Sequence, residues 1–392
     1  MDQKNLNIFR RYTFHVFLRH LSLTLFFSFG ALLIYERTHS IFWVLMFGLI
    51  ANMAGLFIRS FGIAILWKAF MRFGAQVFMA GGLVLLSLSL FGLFYLDPAF
   101  PFFVPALVLI AIAHDFGAGL YWIPSNALLW KTVGSLSLPG RYSAIISIVK
   151  TTAVVLGAIL GLFFNVHAIF LLLFPLAGCI LLASIIPLRG IPVVPETGLS
   201  LRRALNSISP AAFLGNMELH VPIRLTVLPL IVFLISSSLS TSIGVVGIAA
   251  IGQAVFAYLT GKYKDRNDPF LNTFAIIGLV LIWIIYAFVS VPAWFIVLGI
   301  IAGILDDIVS TGREARLSRD VANTGRAVEA TIAIEIARQI GPALIFAFLL
   351  LVYSVTGTLP QSLLVLGGIL LLPVGIYAIG GIQKLRIQSH KN

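Results

Sequence analysis

Twelve runs of mostly apolar residues, separated by short polar connectors, set the plan of this sequence. They fall near 12–35, 41–66, 74–96, 103–128, 143–164, 168–188, 212–235, 240–260, 270–289, 293–315, 327–353 and 361–383. A helix of about 20 apolar residues spans the hydrocarbon core of a bilayer. Helices satisfy every backbone polar group within one segment, which is what lipid demands. The runs therefore read as spanning helices, and the fold class is an all-α integral membrane protein. Charged residues are only 10 % of the 392, while the AVILMFWYC set makes up 60 %. A typical soluble domain carries about 25 % charged residues. Too few charges remain to clothe a surface in water, so a soluble enzyme, a disordered chain and a secreted disulfide scaffold are excluded.

The net charge of +12 would point to nucleic acid in a soluble chain. Here the cations sit in the connectors, and no nucleic-acid partner is expected. Twenty lysines and arginines occupy alternate connectors, among them Lys4, Arg72, Arg141, Arg202, Arg266 and Arg326, while the opposite connectors hold only Arg37. The basic side faces the cytoplasm. Both termini are thus expected there, in a multi-pass protein of the cytoplasmic membrane, and the number of spans is even. The first run is too long for a signal-peptide core and lacks a small-residue cleavage site, so it reads as the first span. The stretch 189–210, with Pro192, Pro195 and Pro210, is the longest polar segment. It predicts three parts: a bundle over 1–188, a cytoplasmic linker over 189–210, and a second bundle over 211–392.

The two halves share features. His15 and Arg19 stand four apart in the first span, His220 and Arg224 in the seventh. Gly140-Arg141 precedes the fifth span and Gly325-Arg326 the eleventh; nine residues on come Lys150 and Glu335. Leu156-Gly157-Ala158 and Ile340-Gly341-Pro342 follow in nearly the same register. Asp115 and Asp306 lie at similar depth in the fourth and tenth spans. These pairs link helices six apart, as duplication of a six-helix unit would. Two parallel halves with a midplane site between them are one way to build a secondary transporter.

Twelve spans, two halves, a long middle connector and the loop Gly261-Lys262-Tyr263-Lys264-Asp265-Arg266 together resemble the major facilitator superfamily. The loop is similar to the Gly-x-x-x-Asp-Arg signature of that family after the second and eighth helices. The equivalent first-half segment, Trp67 to Gly74, keeps Lys68 and Arg72 but has no aspartate. The drug-antiporter pattern of the fifth helix is degraded in Gly157-Ala158-Ile159-Leu160-Gly161-Leu162. The resemblance implies a twelve-helix fold of two pseudo-symmetric bundles, alternating access, and a cavity lined by helices 1, 4, 7 and 10. It also implies charged gating contacts, for which Gly261, Lys262, Asp265, Arg266, Arg72, Arg141 and Arg326 are the candidates. Lys150, Glu335 and Arg338 fall on gating helices in that picture.

Each implied cavity helix carries a charge near mid-span: Arg19, Asp115, Arg224 and Asp306. Intramembrane charges are costly and functional by default. Arg19 and Arg224 are expected to hold a carboxylate or phosphate of the solute, as guanidinium groups do well; the competing expectation is that they snorkel or pair with Asp115, Glu218 or Asp306. Tyr121 and Trp122 are candidate solute contacts. Asp115 and Asp306, with Glu218 as a third, are candidates for proton coupling, because a poorly solvated carboxylate can exchange protons near neutral pH. Glu335 and Arg338, three apart, are spaced to pair. Arg59 in the second span is expected to snorkel.

Cys179 is alone, so neither a disulfide nor a cysteine metal site is expected. No His-Glu-x-x-His or phosphate-binding loop occurs. The expectation is a monomeric, non-enzymatic, cofactor-free and metal-free protein whose partners are lipid, a small solute and protons. Its function would be alternating-access transport of a small anionic or zwitterionic solute, probed against two rivals: an exporter of hydrophobic or amphiphilic compounds including lipids, and a non-transporting sensor or assembly module.

Overall fold

The computed structural model describes residues 3–27, 30–62, 74–134, 139–166, 172–189, 201–238, 240–242, 244–245, 247–249, 251–252, 269–324 and 327–379. Among them all regular structure is helical. The first span is α1 (Gln3–Phe27) followed by α2 (Gly30–Thr38). The second is α3 (Ile41–Phe57), which runs into a π turn over Ile58–Gly62. Then come α4 (Ala75–Tyr95), α5 (Phe103–Gly134), α6 (Pro139–Val166) and α7 (Leu173–Ala183). The short helices α8 (Leu201–Asn206) and α9 (Pro210–Gly215) lead to a second π turn over Ile223–Val227 and to α10 (Leu228–Ser236). The chain continues through α11 (Pro269–Tyr286), α12 (Pro292–Thr324), α13 (Ala327–Thr356) and α14 (Leu363–Ile369).

Six helical stretches are long and apolar enough to cross a membrane: Asn7–Thr38, Ile41–Phe61, Gln76–Tyr95, Phe103–Asn126, Pro292–Ser310 and Val328–Thr356. Six shorter apolar helices fill the remaining places in order, which is consistent with twelve crossings. The exterior is that of a membrane protein. Leu109, Phe274, Leu351 and Ile376 each expose more than half of their surface. Tyr95, Phe102, Phe288 and Trp294 project outward where α4 ends, α5 begins, α11 ends and α12 begins, an aromatic rim of the kind found at headgroup depth.

With lipid outside, helices associate through close packing rather than through exclusion of water. Glycines mark the tightest contacts. A Cβ on Gly82 of α4 would lie 2.5 Å from the Gly117 carbonyl of α5, and one on Gly117 would lie 2.7 Å from that of Gly82. The proposed repeat finds a counterpart in packing: Gly157 of α6 sits against Thr24 of α1, and Gly341 of α13 against the Met217 backbone at the start of the seventh span. Among the described residues, two large apolar clusters hold most of the interior. One draws on Phe9 through Leu188 with Leu230 added; the other draws on Ile223 through Val374 with Leu45 added.

Where these clusters face each other, α3 packs along α13, with Gly48 under the Phe346 ring and Gly55 beside Gln339. At the end where α2 and α10 finish, the Tyr35 ring meets Phe233 edge-on, centroids 5.9 Å apart. At the other end α12 and α13 press against α5.

The seventh span differs from the continuous helix expected over 212–235. It stops at Gly215, turns through Asn216–His220, and resumes at Val221. Glu218 takes φ of +49° in this break, a left-handed conformation uncommon for a residue with a Cβ. The sequence hid the break because Asn216, Glu218 and His220 stand within a run, 212–235, that is apolar enough overall to read as one helix.

Candidate functional site

A cavity of about 520 Å³ lies between the two clusters. From the first half it is lined by parts of α1, α2, α3, α5 and α6, and from the second by α12, α13 and the broken seventh span. Ile34, Val44, Phe47 and Phe346 make its apolar end, toward the Tyr35–Phe233 contact. Asp115, Asn126, Glu218 and Arg313 make its ionic end. Backbone irregularity at membrane depth is tolerated where it lines such a cavity, and the irregular segments here do. Arg59 lies in the first π turn and Arg224 in the second. Pro229 cannot donate to the Leu225 carbonyl, which loosens the helical ladder beside Arg224.

The ionic end is one connected network. Arg59 is 2 % exposed and lies 3.6 Å from Asp115 on α5 and 3.6 Å from Glu335 on α13. Glu335 also accepts from Asn126 Nδ2 at 2.9 Å and from Arg338 Nη1 at 3.0 Å. Arg338 Nε stands 3.3 Å from Glu218, and Arg313 Nη1 stands 3.0 Å from the same oxygen. With its amide oriented to suit both neighbours, Gln339 accepts from Arg59 at 3.2 Å and donates to Asn52 at 3.0 Å. Thus α3 and α5 of the first half are tied to α13 of the second, and from there to the seventh span and α12. Separately, Arg224 donates to Asp306 Oδ2 at 2.7 Å.

The duplicated His-Arg pairs have diverged. Each arginine reaches the fourth helix of its own half. Arg224 meets Asp306, whereas Arg19 donates to the Tyr121 hydroxyl at 2.9 Å. Tyr121 also bonds His15 at 2.6 Å and Ser125 at 2.8 Å, with Tyr12 beyond. Arg19 further contacts the His20 ring at 2.8 Å and stacks 4.0 Å over Trp122. Among the described residues no carboxylate comes within ion-pair distance of it.

Of the expected solute contacts, Arg224 and Trp122 line the cavity. Arg19 and Tyr121 are 1 % and 0 % exposed and lie behind the wall, screened by Trp122 and His20. The coupling candidates Asp115, Asp306 and Glu218 all line the cavity, as do Lys150, Glu335 and Arg338. Arg141 lies in the first turn of α6, its side chain outside the described residues. Gly261, Lys262, Asp265, Arg266, Arg72 and Arg326 also lie outside them.

Two arginines depart from the sequence reading. Arg59 does not snorkel: two carboxylates and an amide hold it inside. Arg313 is not a loop cation, because α12 extends to Thr324 and turns its side chain, 12 % exposed, toward Glu218. Arg59 was detectable, since it is an intramembrane charge by the criterion that singled out Arg19. Asn52, Asn126 and Gln339 carry no such signal.

No protein-family model and no curated protein matches the chain. Solved structures do. The nucleoside transporter NupG superposes with a TM-score of 0.64 at 13 % identity, over 95 % of this chain and 98 % of that one. The E. coli fucose:proton symporter FucP, in a variant form, gives 0.63 at 16 % identity, over 94 % and 97 %. Both are major facilitator transporters. This chain has the major facilitator fold. At such identities the likeness establishes architecture, and it extends over nearly the full length of both partners. Within the major facilitator fold, the cavity and its ionic end fall where the two bundles face each other.

Proposed function

We propose that the protein is a secondary transporter that moves a small anionic or zwitterionic solute across the cytoplasmic membrane by alternating access, coupled to protons. The carrying observation is the cavity between two halves of a lipid-facing bundle, with every described lining carboxylate set against an arginine. Two bundles, 1–188 and 211–392, rock about this site. The ionic network bounds one end, and the Tyr35–Phe233 contact lies beyond the other. Proton arrival at Asp115 or Glu335 would weaken the hold of Arg59 and let the first half part from the second. Asp306, bound to Arg224, is the second coupling candidate. The excess of lysine and arginine in alternate connectors supports a cytoplasmic position for both termini.

The fold likeness supports this reading, since NupG is a nucleoside transporter and FucP a fucose:proton symporter. The cavity's polar and charged lining makes lipid or drug export the weaker reading. The test uses proteoliposomes and a solute found by thermal-shift screening. An imposed pH gradient is expected to drive uptake, and Asp115→Asn, Asp306→Asn or Glu335→Gln to uncouple it. Undiminished gradient-driven uptake in all three variants would remove the coupling assignment.

A further inference from the structure

The cavity's electrostatics fix the sign of its ligand more narrowly than the reading above. Among the described residues five cationic side chains line it, Arg59, Lys150, Arg224, Arg313 and Arg338, against four carboxylates, Asp115, Glu218, Asp306 and Glu335. Each carboxylate already has an arginine: Asp115 at 3.6 Å, Glu335 and Glu218 at 3.0 Å, Asp306 at 2.7 Å. A further cation, Arg19, lies directly behind the wall with no carboxylate among the described residues at ion-pair distance. Its Nε has no hydrogen-bond acceptor either. A buried charge without a counter-ion is strongly unfavourable. Among the described residues, the cavity lining and the wall behind it therefore carry more positive than negative charge.

Trp122 sharpens the point. It lines the cavity, and the Arg19 guanidinium covers its ring at 4.0 Å. A cation is drawn to the electron-rich face of an indole, and this ring is already polarised toward Arg19. What it offers the cavity suits the flat body of a neutral or electron-rich group. Arg224, with 37 % of its side chain exposed, is the most open of the ion-paired arginines that line the cavity. An ammonium group, by contrast, would meet only carboxylates that each already face at least one arginine.

We propose that the cavity is a site for an organic anion with a planar body, its charged group drawn by Arg224 and Lys150 and its body lying on the Arg19-backed indole of Trp122. The proposal rests on the transporter reading for its purpose but not for its test, because it concerns equilibrium binding. A zwitterion binds less well than the matching anion, and lipophilic cations are excluded.

Three matched probes test it on purified protein in nanodiscs: benzoate, benzamide and benzylammonium, each by thermal shift and by isothermal titration. Benzoate is expected to raise the melting temperature by mass action, with benzamide and benzylammonium giving little or none. Arg224→Gln and Lys150→Gln are each expected to weaken benzoate by about tenfold, as loss of a charge-assisted contact would. Arg19→Met is expected to weaken it likewise while leaving the ligand-free melting temperature equal or higher, since an uncompensated charge is removed. A benzylammonium or benzamide shift matching that of benzoate overturns the proposal, as does the absence of any benzoate shift. An Arg19→Met protein that melts lower yet keeps its benzoate affinity makes Arg19 a structural strut and removes it from the site. Gradient-driven uptake is read separately, so transport can stand where anion preference fails.

Discussion

Arg59 shows how one side chain can couple two halves of a protein. It is almost fully buried, and its guanidinium faces Asp115 within its own half and Glu335 across the interface. Removing one partner of a buried ion pair costs about 3–5 kcal/mol, because the other charge is stranded. Arg59→Gln strands Asp115, while Glu335 keeps Arg338 and Asn126, so a destabilisation of that order is expected, read as a lower melting temperature. Arg59→Lys should not restore stability, since a single ammonium cannot reproduce a fork that reaches two carboxylates and Gln339. The double variant Arg59→Gln with Asp115→Asn should recover much of the loss, and additive losses in that cycle would show the two residues to be uncoupled. Gly55 belongs to the same story. A Cβ there would lie 2.5 Å from Arg59 Nη1 and 2.7 Å from Asp115 Oδ1. Gly55→Val should thus push the pair apart and destabilise by about 1–3 kcal/mol, the usual range for overpacking. Unaltered melting in Gly55→Val would mean the cluster is looser than its distances imply. At this scale the sequence was half legible. Charges in apolar runs stand out, so Asp115, Arg224, Asp306 and Glu335 could be named as site candidates. Their pairing could not, because Arg59, Glu335 and Asn126 are far apart in sequence and no local spacing links them.

Element by element, hydrophobic length was readable, and every apolar run has an apolar helix in its place. Breaks within a run were not readable. Hydropathy averages over a window, and the turn at Asn216–His220 is short enough to vanish in one. Its causes are tertiary: Glu218 is held in a left-handed conformation by Arg313 and Arg338, and Met217 rests on Gly341. A residue in that conformation carries about 1–3 kcal/mol of strain, which the two ion pairs offset. Neighbouring glycines of α4 give a cleaner test of element packing. A Cβ on Gly82 would meet the backbone of α5, whereas one on Gly81 would meet nothing within 4 Å. Gly81→Ala should be neutral or slightly stabilising, by helix propensity. Gly82→Ala should lower the melting temperature, because a backbone carbonyl cannot step aside as a side chain can. Equal effects at the two positions would show that α4 and α5 are not packed backbone to backbone.

For the whole molecule, the two ends of the cavity are bounded by different forces. One end relies on paired charges that a proton or an anion can unsettle. The other relies on apolar surfaces, where Leu230 joins the first cluster and Tyr35 meets Phe233. Rocking bundles must open these ends in turn, so fixing the apolar end shut should stop transport without disturbing the ionic one. Tyr35→Cys with Phe233→Cys tests this in a Cys179→Ser background, which removes the exposed native thiol. A short reducible cross-linker should join the pair in high yield, because their rings are already in contact. Solute flux should fall to background and return on reduction. Binding of benzoate should persist at a slowed rate, since its site would be enclosed rather than dismantled. Full flux through a completely cross-linked protein would show that this contact never opens. Alternation between two closed ends could not then be how the protein works, whatever solute it binds.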